Sequence, residues 1–282
     1  MCVIFFYANS QPNANGYKLI LASNRDEFFA RDTQTAAKWT NADHVYGGID
    51  LEPGREGGTW LAIGSAHGIF KVGALLNLTG EPKPRNAVGR GMIVADYVRQ
   101  SDVEHNIINY NQSLLADCTK YSAFNFVSIE IGDVSQPAQI KLLSNVPPTL
   151  MPFEQGQCYG FGNSLPDSPF EKVRHGQQQF EQIVSEHGHS DVATLSAELL
   201  QLLKNKHKFW PDAELKRRAP SWGEGLSALN VHIPEHGYGS RTHSLILVDA
   251  NNKLHFIEET MAGLDPSGEW ERTHIEKQFE NI

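Results

Sequence analysis

Cysteine is scarce in this chain. Its 282 residues include three, Cys2, Cys118 and Cys158, odd in number and widely spaced. That fits a reducing compartment rather than a disulfide framework. No Cys-x-x-Cys-His motif and no Cys-Pro dipeptide accompanies the twelve scattered histidines, so neither haem ligation nor a metal centre is legible in the residues themselves. Excess positive charge is missing too. A net charge of −9 excludes a general nucleic-acid binder, whose affinity depends on neutralising phosphates. Long apolar runs are absent, since none reaches the ~20 residues that span a bilayer. The stretch Val3-Ile4-Phe5-Phe6-Tyr7 is short, has no basic flank before it, and gives way to polar Asn9-Ser10-Gln11, unlike a secretory signal. A soluble, cytoplasmic protein is expected, in which the triplets Asn77-Leu78-Thr79 and Asn111-Gln112-Ser113 escape glycosylation.

What remains is an ordinary globular composition, 40% hydrophobic and 20% charged, with no internal repeat or low-complexity tract, read as one domain over residues 1–282. Strands come in pairs. Residues 2–8 and 17–23 flank the turn-rich Gln11 to Gly16 and predict a hairpin; residues 58–63 and 69–78 flank Ala66-His67-Gly68 and predict another. Further strands are expected at 123–131, 139–144, 157–163, 227–233, 243–249 and 253–259, the last two joined at Asn251-Asn252. Helical periodicity runs from Gly89 to Leu115, broken at Ser101-Asp102, and from Ser168 to Lys204, broken at His187-Gly188-His189. In the latter, Ser190 or Asp191 caps a helix whose apolar stripe is Leu195, Leu199, Leu202 and Leu203. Residues 81–85 and 205–225 read as loops. Strand pairs grouped apart from helix pairs predict an α+β fold with helices packed on antiparallel sheets.

The position of Cys2 carries chemistry. If Met1 is removed, one residue bears both a thiol and a free α-amine, a self-contained nucleophile and base that exchange protons near neutrality. The alternative is a small residue starting an edge strand. After the first hairpin come Asn24-Arg25-Asp26-Glu27, which topology returns beside Cys2. A carboxylate there can hold the ammonium and Arg25 can stabilise a thiolate, or the tetrapeptide is a solvated strand exit. Gly57-Gly58-Thr59-Trp60 allows close backbone approach or a positive φ, with the indole on the core or on a cleft wall. Asn77 at a strand end can donate to an oxyanion or simply make a turn. Gly160 to Ser164, around Asn163, and Gly237 to Thr242, around Arg241, offer similar alternatives between ligand approach and ordinary turns.

Together, Cys2 with its apolar run, Asn24-Arg25-Asp26-Glu27, Glu56-Gly57-Gly58-Thr59-Trp60-Leu61, Gly162-Asn163-Ser164 and Gly239-Ser240-Arg241-Thr242 resemble the Transport and Golgi organisation protein 2 family, also called the NRDE family after the tetrapeptide. That family is in turn distantly similar to N-terminal-nucleophile hydrolases such as bile salt hydrolases. The resemblance implies a four-layer αββα sandwich of antiparallel sheets. It also implies a site in which Cys2 is the nucleophile, Asp26 contacts the terminal amine, Asn77 and Asn163 face the oxyanion and Arg241 closes the site, with Asn24, Arg25 and Trp60 binding substrate. One departure stands out: the hydrolases carry an arginine where this chain has Ser23, and adjacent strand residues point to opposite faces, which argues against Arg25 taking over that role.

The function implied is cellular: Golgi organisation and secretory transport, with lipid or acyl-coenzyme A homeostasis and haem trafficking. No cofactor is required, and haem or acyl-coenzyme A is the expected ligand. A hydrolase acting on amide or thioester bonds is the alternative. Golgi or mitochondrial association is expected through peripheral membrane contact. For that contact Lys204-Asn205-Lys206-His207-Lys208 and Lys216-Arg217-Arg218 are candidates, unless they form a solvated face.

Overall fold

The computed structural model describes residues 1–101, 106–132 and 135–279. The chain opens with strands β1 (Val3–Ala8), β2 (Tyr17–Phe28), β3 (Thr33–Trp39), β4 (Ala42–Asp50), β5 (Leu61–Ala66) and β6 (Ile69–Asn77), then helices α1 (Gly91–Arg99) and α2 (Ile107–Asp117). Strands β7 (Phe124–Ile131), β8 (Gln139–Asn145), β9 (Pro148–Phe153) and β10 (Cys158–Phe161) precede helices α3 (Glu171–His187), α4 (Val192–Leu203) and α5 (Ala213–Arg218). It closes with β11 (His232–Ile233), β12 (Tyr238–Asp249), β13 (Lys253–Met261) and β14 (Trp270–Gln278).

The strands form two antiparallel sheets. One has the order β10-β1-β2-β12-β13-β14, with β11 on β12; the other runs β3 to β9 in sequence. Period-two alternation gives each sheet two apolar faces, and three cores result. Ile4, Phe6, Leu21 and Phe256 of the first sheet meet Ile63, Val72, Val127 and Leu142 of the second. On its other face the first sheet packs Val3, Phe5, Ile20 and Leu247 against Phe180 of α3, Leu199 of α4 and Leu215 of α5. The second packs Phe124, Phe126 and Val45 against Val94 and Tyr97 of α1 and Leu114 of α2. The layers therefore run helix, sheet, sheet, helix.

Several expectations about elements change. Strand β1 lies between β10 and β2, so Cys2 does not begin an edge strand. Strand β2 continues to Phe28, so Asn24 to Glu27 sit within it. The reason is β12, which starts at Tyr238 and pairs with β2 from Phe28 back to Tyr17, supplying partners the sequence does not advertise locally. Strands β3, β4 and β9 were not expected, and residues 227–233 supply only two strand residues. Within 205–225, Asp212 caps α5 by accepting from the Leu215 N–H at 2.8 Å. The expected break at Ser101-Asp102 falls partly outside the described residues, and Asn106 caps α2. Asp191 is the cap of α4, whose leucine stripe is buried as expected.

Candidate functional site

The register of β1 and β2 builds the site. Val3 faces Asn24 and Ile4 faces Ser23; continued by one and two residues, Cys2 stands opposite Arg25 and Met1 opposite Asp26. Opposed residues share a face of the sheet. Cys2 and Arg25 thus both point toward the second sheet, while Met1 and Asp26 point toward α3. Ser23 and Arg25, two apart, are on the same face. This corrects the alternation argument made against Arg25: it takes up a position beside the thiol from the face that Ser23 shares.

Asp26 is buried, with Oδ1 accepting from the Ser240 hydroxyl at 2.5 Å. Its Oδ2 lies 3.4 Å from the Met1 ammonium and 3.9 Å from Lys172 Nζ on α3. The Tyr238 hydroxyl accepts from the same ammonium and donates to the Asp26 carbonyl at 3.3 Å. Burial pushes the Lys172 ammonium below its ordinary range, against the pull of Asp26. Burial also pushes the Cys2 thiol up; the terminal ammonium and Arg25 pull it down without cancelling that effect. With Met1 in place, burial thus favours the protonated thiol.

Cys2, Arg25, Glu27, Trp60 and Asn77 line a cleft of about 530 Å³ that Asp26 also borders. The Arg25 guanidinium lies 4.3 Å over the Trp60 ring and 4.0 Å from Glu27, with Nη1 buried and lacking a hydrogen-bond partner. Trp60 is positioned by its glycines. Gly57 has φ +81°, and a Cβ on Gly58 would come within 2.9 Å of Gly91 Cα, where Thr59 N–H donates to the Gly91 carbonyl at 3.1 Å.

Three expected residues do not line the cleft. Asn24 projects to the opposite face, where its amide donates to the Leu203 and Leu229 carbonyls at 2.8 and 2.9 Å. Asn163 is buried behind Asn77, donating to the Asn77 carbonyl at 2.5 Å, so it positions that strand end. Arg241 is the extra residue of a β-bulge between Ser240 and Thr242; its guanidinium donates to the Arg31 and Phe28 carbonyls and pins the turn after β2.

Residues 1–263 match the family described as Transport and Golgi organisation 2. The chain belongs to that family. The Transport and Golgi organization protein 2 of Drosophila melanogaster is 78% identical over 281 residues, covering 100% of this chain and 99% of the relative. Homologues of that protein from Bos taurus and Homo sapiens are 35% and 32% identical, covering 100% and 96% of both chains respectively.

In this member of the Transport and Golgi organisation 2 family, the cleft is lined by five cationic side chains and four carboxylates. Arg31 is neutralised by Asp50 at 2.6 Å and Glu27 at 3.4 Å. Arg90 donates to the Ala123 carbonyl, and burial with neighbouring Arg55 and Arg31 lowers its pKa to about 10. Among the described residues, Arg55, Lys83 and the carboxylate of Glu56 border the cleft without an ion pair, beside the exposed apolar side chains of Val88 and Met92. By contrast, the basic run at 204–218 is largely paired, Lys204 with Glu259, Lys208 with Glu224, and Arg217 and Arg218 with Glu214. Sequence reasoning missed Lys172, although Lys172, Gly176 and Phe180 share the buried stripe of α3 and a lysine there was the signal. Ser240 stands in the Gly239-Ser240-Arg241-Thr242 motif and Tyr238 in the stretch just before it, but the sequence assigned neither a role.

No helix among the described residues is long and apolar enough to cross a membrane.

Proposed function

We propose that this chain is a Golgi-organisation and secretory-transport factor that binds an amphiphilic anion, acyl-coenzyme A in chemical class, in the Cys2 cleft. The supporting observation is the mouth. Unpaired Arg55 and Lys83 stand with Arg90 beside exposed Val88 and Met92, an excess of cations over the one unpaired carboxylate of Glu56 in a chain whose net charge is −9. Such a pairing suits a ligand with a phosphate or carboxylate at one end and an apolar body at the other. Haem, which has two carboxylates on an apolar ring, is the competing occupant. The protein works in the cytoplasm, meeting Golgi or mitochondrial membranes peripherally. Titration with a long-chain acyl-coenzyme A and, separately, with haem tests the reading. Saturable binding of the acyl compound is expected; saturation by haem alone would transfer the site to haem handling, and saturation by neither would refute it.

A second reading, an N-terminal-nucleophile hydrolase, draws on Asp26 lying 3.4 Å from the Met1 ammonium, one residue before Cys2, and on Arg25 opposite Cys2. Once Met1 is removed, the Cys2 thiol gives its proton to its own amine as sulfur attacks an amide or thioester carbonyl. The amine then protonates the leaving group, and water cleaves the acyl-sulfur bond. Asn77 donates to the oxyanion, a contribution of about 2.7–4 kcal/mol. Intact mass reports whether Met1 leaves. In protein lacking Met1, Cys2→Ala is expected to abolish acyl release; activity equal to the unsubstituted protein would remove Cys2 from the reaction.

A further inference from the structure

The outer face of the first sheet carries a cluster that the cleft does not use. His255 of β13 stands opposite Glu276 of edge strand β14, and His274 lies two residues before Glu276 on the same face. Leu247 pairs with both His255 and Ile20, so the cluster is level with Ile20 on β2 and not with Arg25. His255 Nδ1 is 3.1 Å from His274 Nε2, and Glu276 Oε1 lies 3.6 Å from the first and 3.7 Å from the second. The nearest point equidistant from those three atoms, in their plane, is about 2.0 Å from each, and a point slightly off that plane remains at the length of a zinc–nitrogen or zinc–carboxylate bond.

We propose that His255, His274 and Glu276 bind a divalent transition-metal ion of the zinc class, leaving one position open to water. Two imidazoles and one carboxylate suit zinc, cobalt or nickel better than magnesium or calcium, which prefer all-oxygen shells. Lys253 Nζ lies 2.6 Å from the other oxygen of Glu276, an outer contact that turns Oε1 toward the imidazoles. The ligands come from two strands, and β14 has a neighbour on one side alone. A bound ion would therefore cross-link the edge strand to the sheet. The sequence hides the site because the two histidines are far apart along the chain and sit in no ligand-spacing motif.

The test uses full-length protein stripped with a chelator and titrated calorimetrically with Zn²⁺, with Co²⁺ absorption as a geometric readout and hydrogen exchange along β14 as a structural one. One ion per chain is expected, with ligand-field bands for Co²⁺ and slower exchange in β14 on loading. His274→Ala, at a partly exposed position, should leave metal-free melting unchanged and weaken Zn²⁺ binding about tenfold or more. Glu276→Gln provides a second variant should His274→Ala melt early, and the same weakening is expected of it. No saturable binding would overturn the proposal, leaving two imidazoles in hydrogen-bond contact. So would Zn²⁺ affinity unchanged in both variants, which would place the ion elsewhere, or Mg²⁺ binding as tightly as Zn²⁺.

Discussion

His243, directly under the tetrapeptide, shows how much of the site is set by single buried groups. Its Nδ1 meets Asn24 Oδ1 at 2.7 Å and its ring stacks on Trp270, while burial, helped by Lys204 and Lys206, lowers its pKa to about 3. The unfolded imidazole titrates near 6.5. Between about pH 6.5 and 3 the unfolded chain therefore holds a proton that the folded chain refuses, so stability falls with acidification by about 1.4 kcal/mol per pH unit from this group. Urea unfolding from pH 7 to 4 should show that slope in the native protein and a shallower one in His243→Asn; equal slopes would assign the acid sensitivity to other groups. At this scale the sequence was half legible. Cys2 and Asp26 declare themselves by position and topology, because a hairpin brings them together whatever lies elsewhere. Asn24 misleads, since strand alternation turns it to two backbone carbonyls on the helix side. Asn163 and Arg241 are polar residues near the site whose partners are main-chain carbonyls, a distinction that needs coordinates.

At the scale of elements, β2 and the loop before β5 form the cleft. The tetrapeptide read as a strand exit because four polar residues end the apolar run, yet β12 pairs with all of them and carries the Ser240 hydroxyl that satisfies Asp26. A partner more than two hundred residues away leaves no local trace. Strand β3 escaped because its register to β4 shifts twice and both its faces carry polar residues; β9 escaped because Pro148 and Pro152, acceptable on an edge strand, read as breakers. Helix α5 is too short to show a period. The glycine pair, read as allowing close approach or a positive φ, does both: Gly57 takes the positive φ and Gly58 the close approach. Adding a methyl group in Gly58→Ala would press on the Gly91 backbone and move Trp60 off Arg25. A loss of about 1–3 kcal/mol is expected in urea unfolding, with crystallography showing the indole displaced; an unchanged midpoint would mean that α1 yields without strain.

For the whole molecule, helices packed on antiparallel sheets were legible from the grouping of strand pairs and helix pairs, because layer architecture follows from which faces are apolar, whereas the helix-sheet-sheet-helix order was implied by the family resemblance alone. The charge distribution was not. Basic runs in the sequence drew attention to residues 204–218, where carboxylates neutralise them, whereas the mouth of the cleft gathers Arg55, Lys83 and Arg90 from two separate loops and the start of a helix. An anion bound there would be held by charge in an otherwise acidic protein, so its affinity should weaken as salt is raised past the screening length of about 10 Å at 0.1 M. Arg55 is exposed and unpaired, so reversing it disturbs binding without disturbing the fold. The decisive measurement is calorimetric titration of a long-chain acyl-coenzyme A into the unsubstituted protein and into Arg55→Glu at equal melting temperature. One saturable site, weakened about tenfold by the charge reversal, is the expected result; equal affinity in the two proteins would contradict a ligand site at the Cys2 cleft.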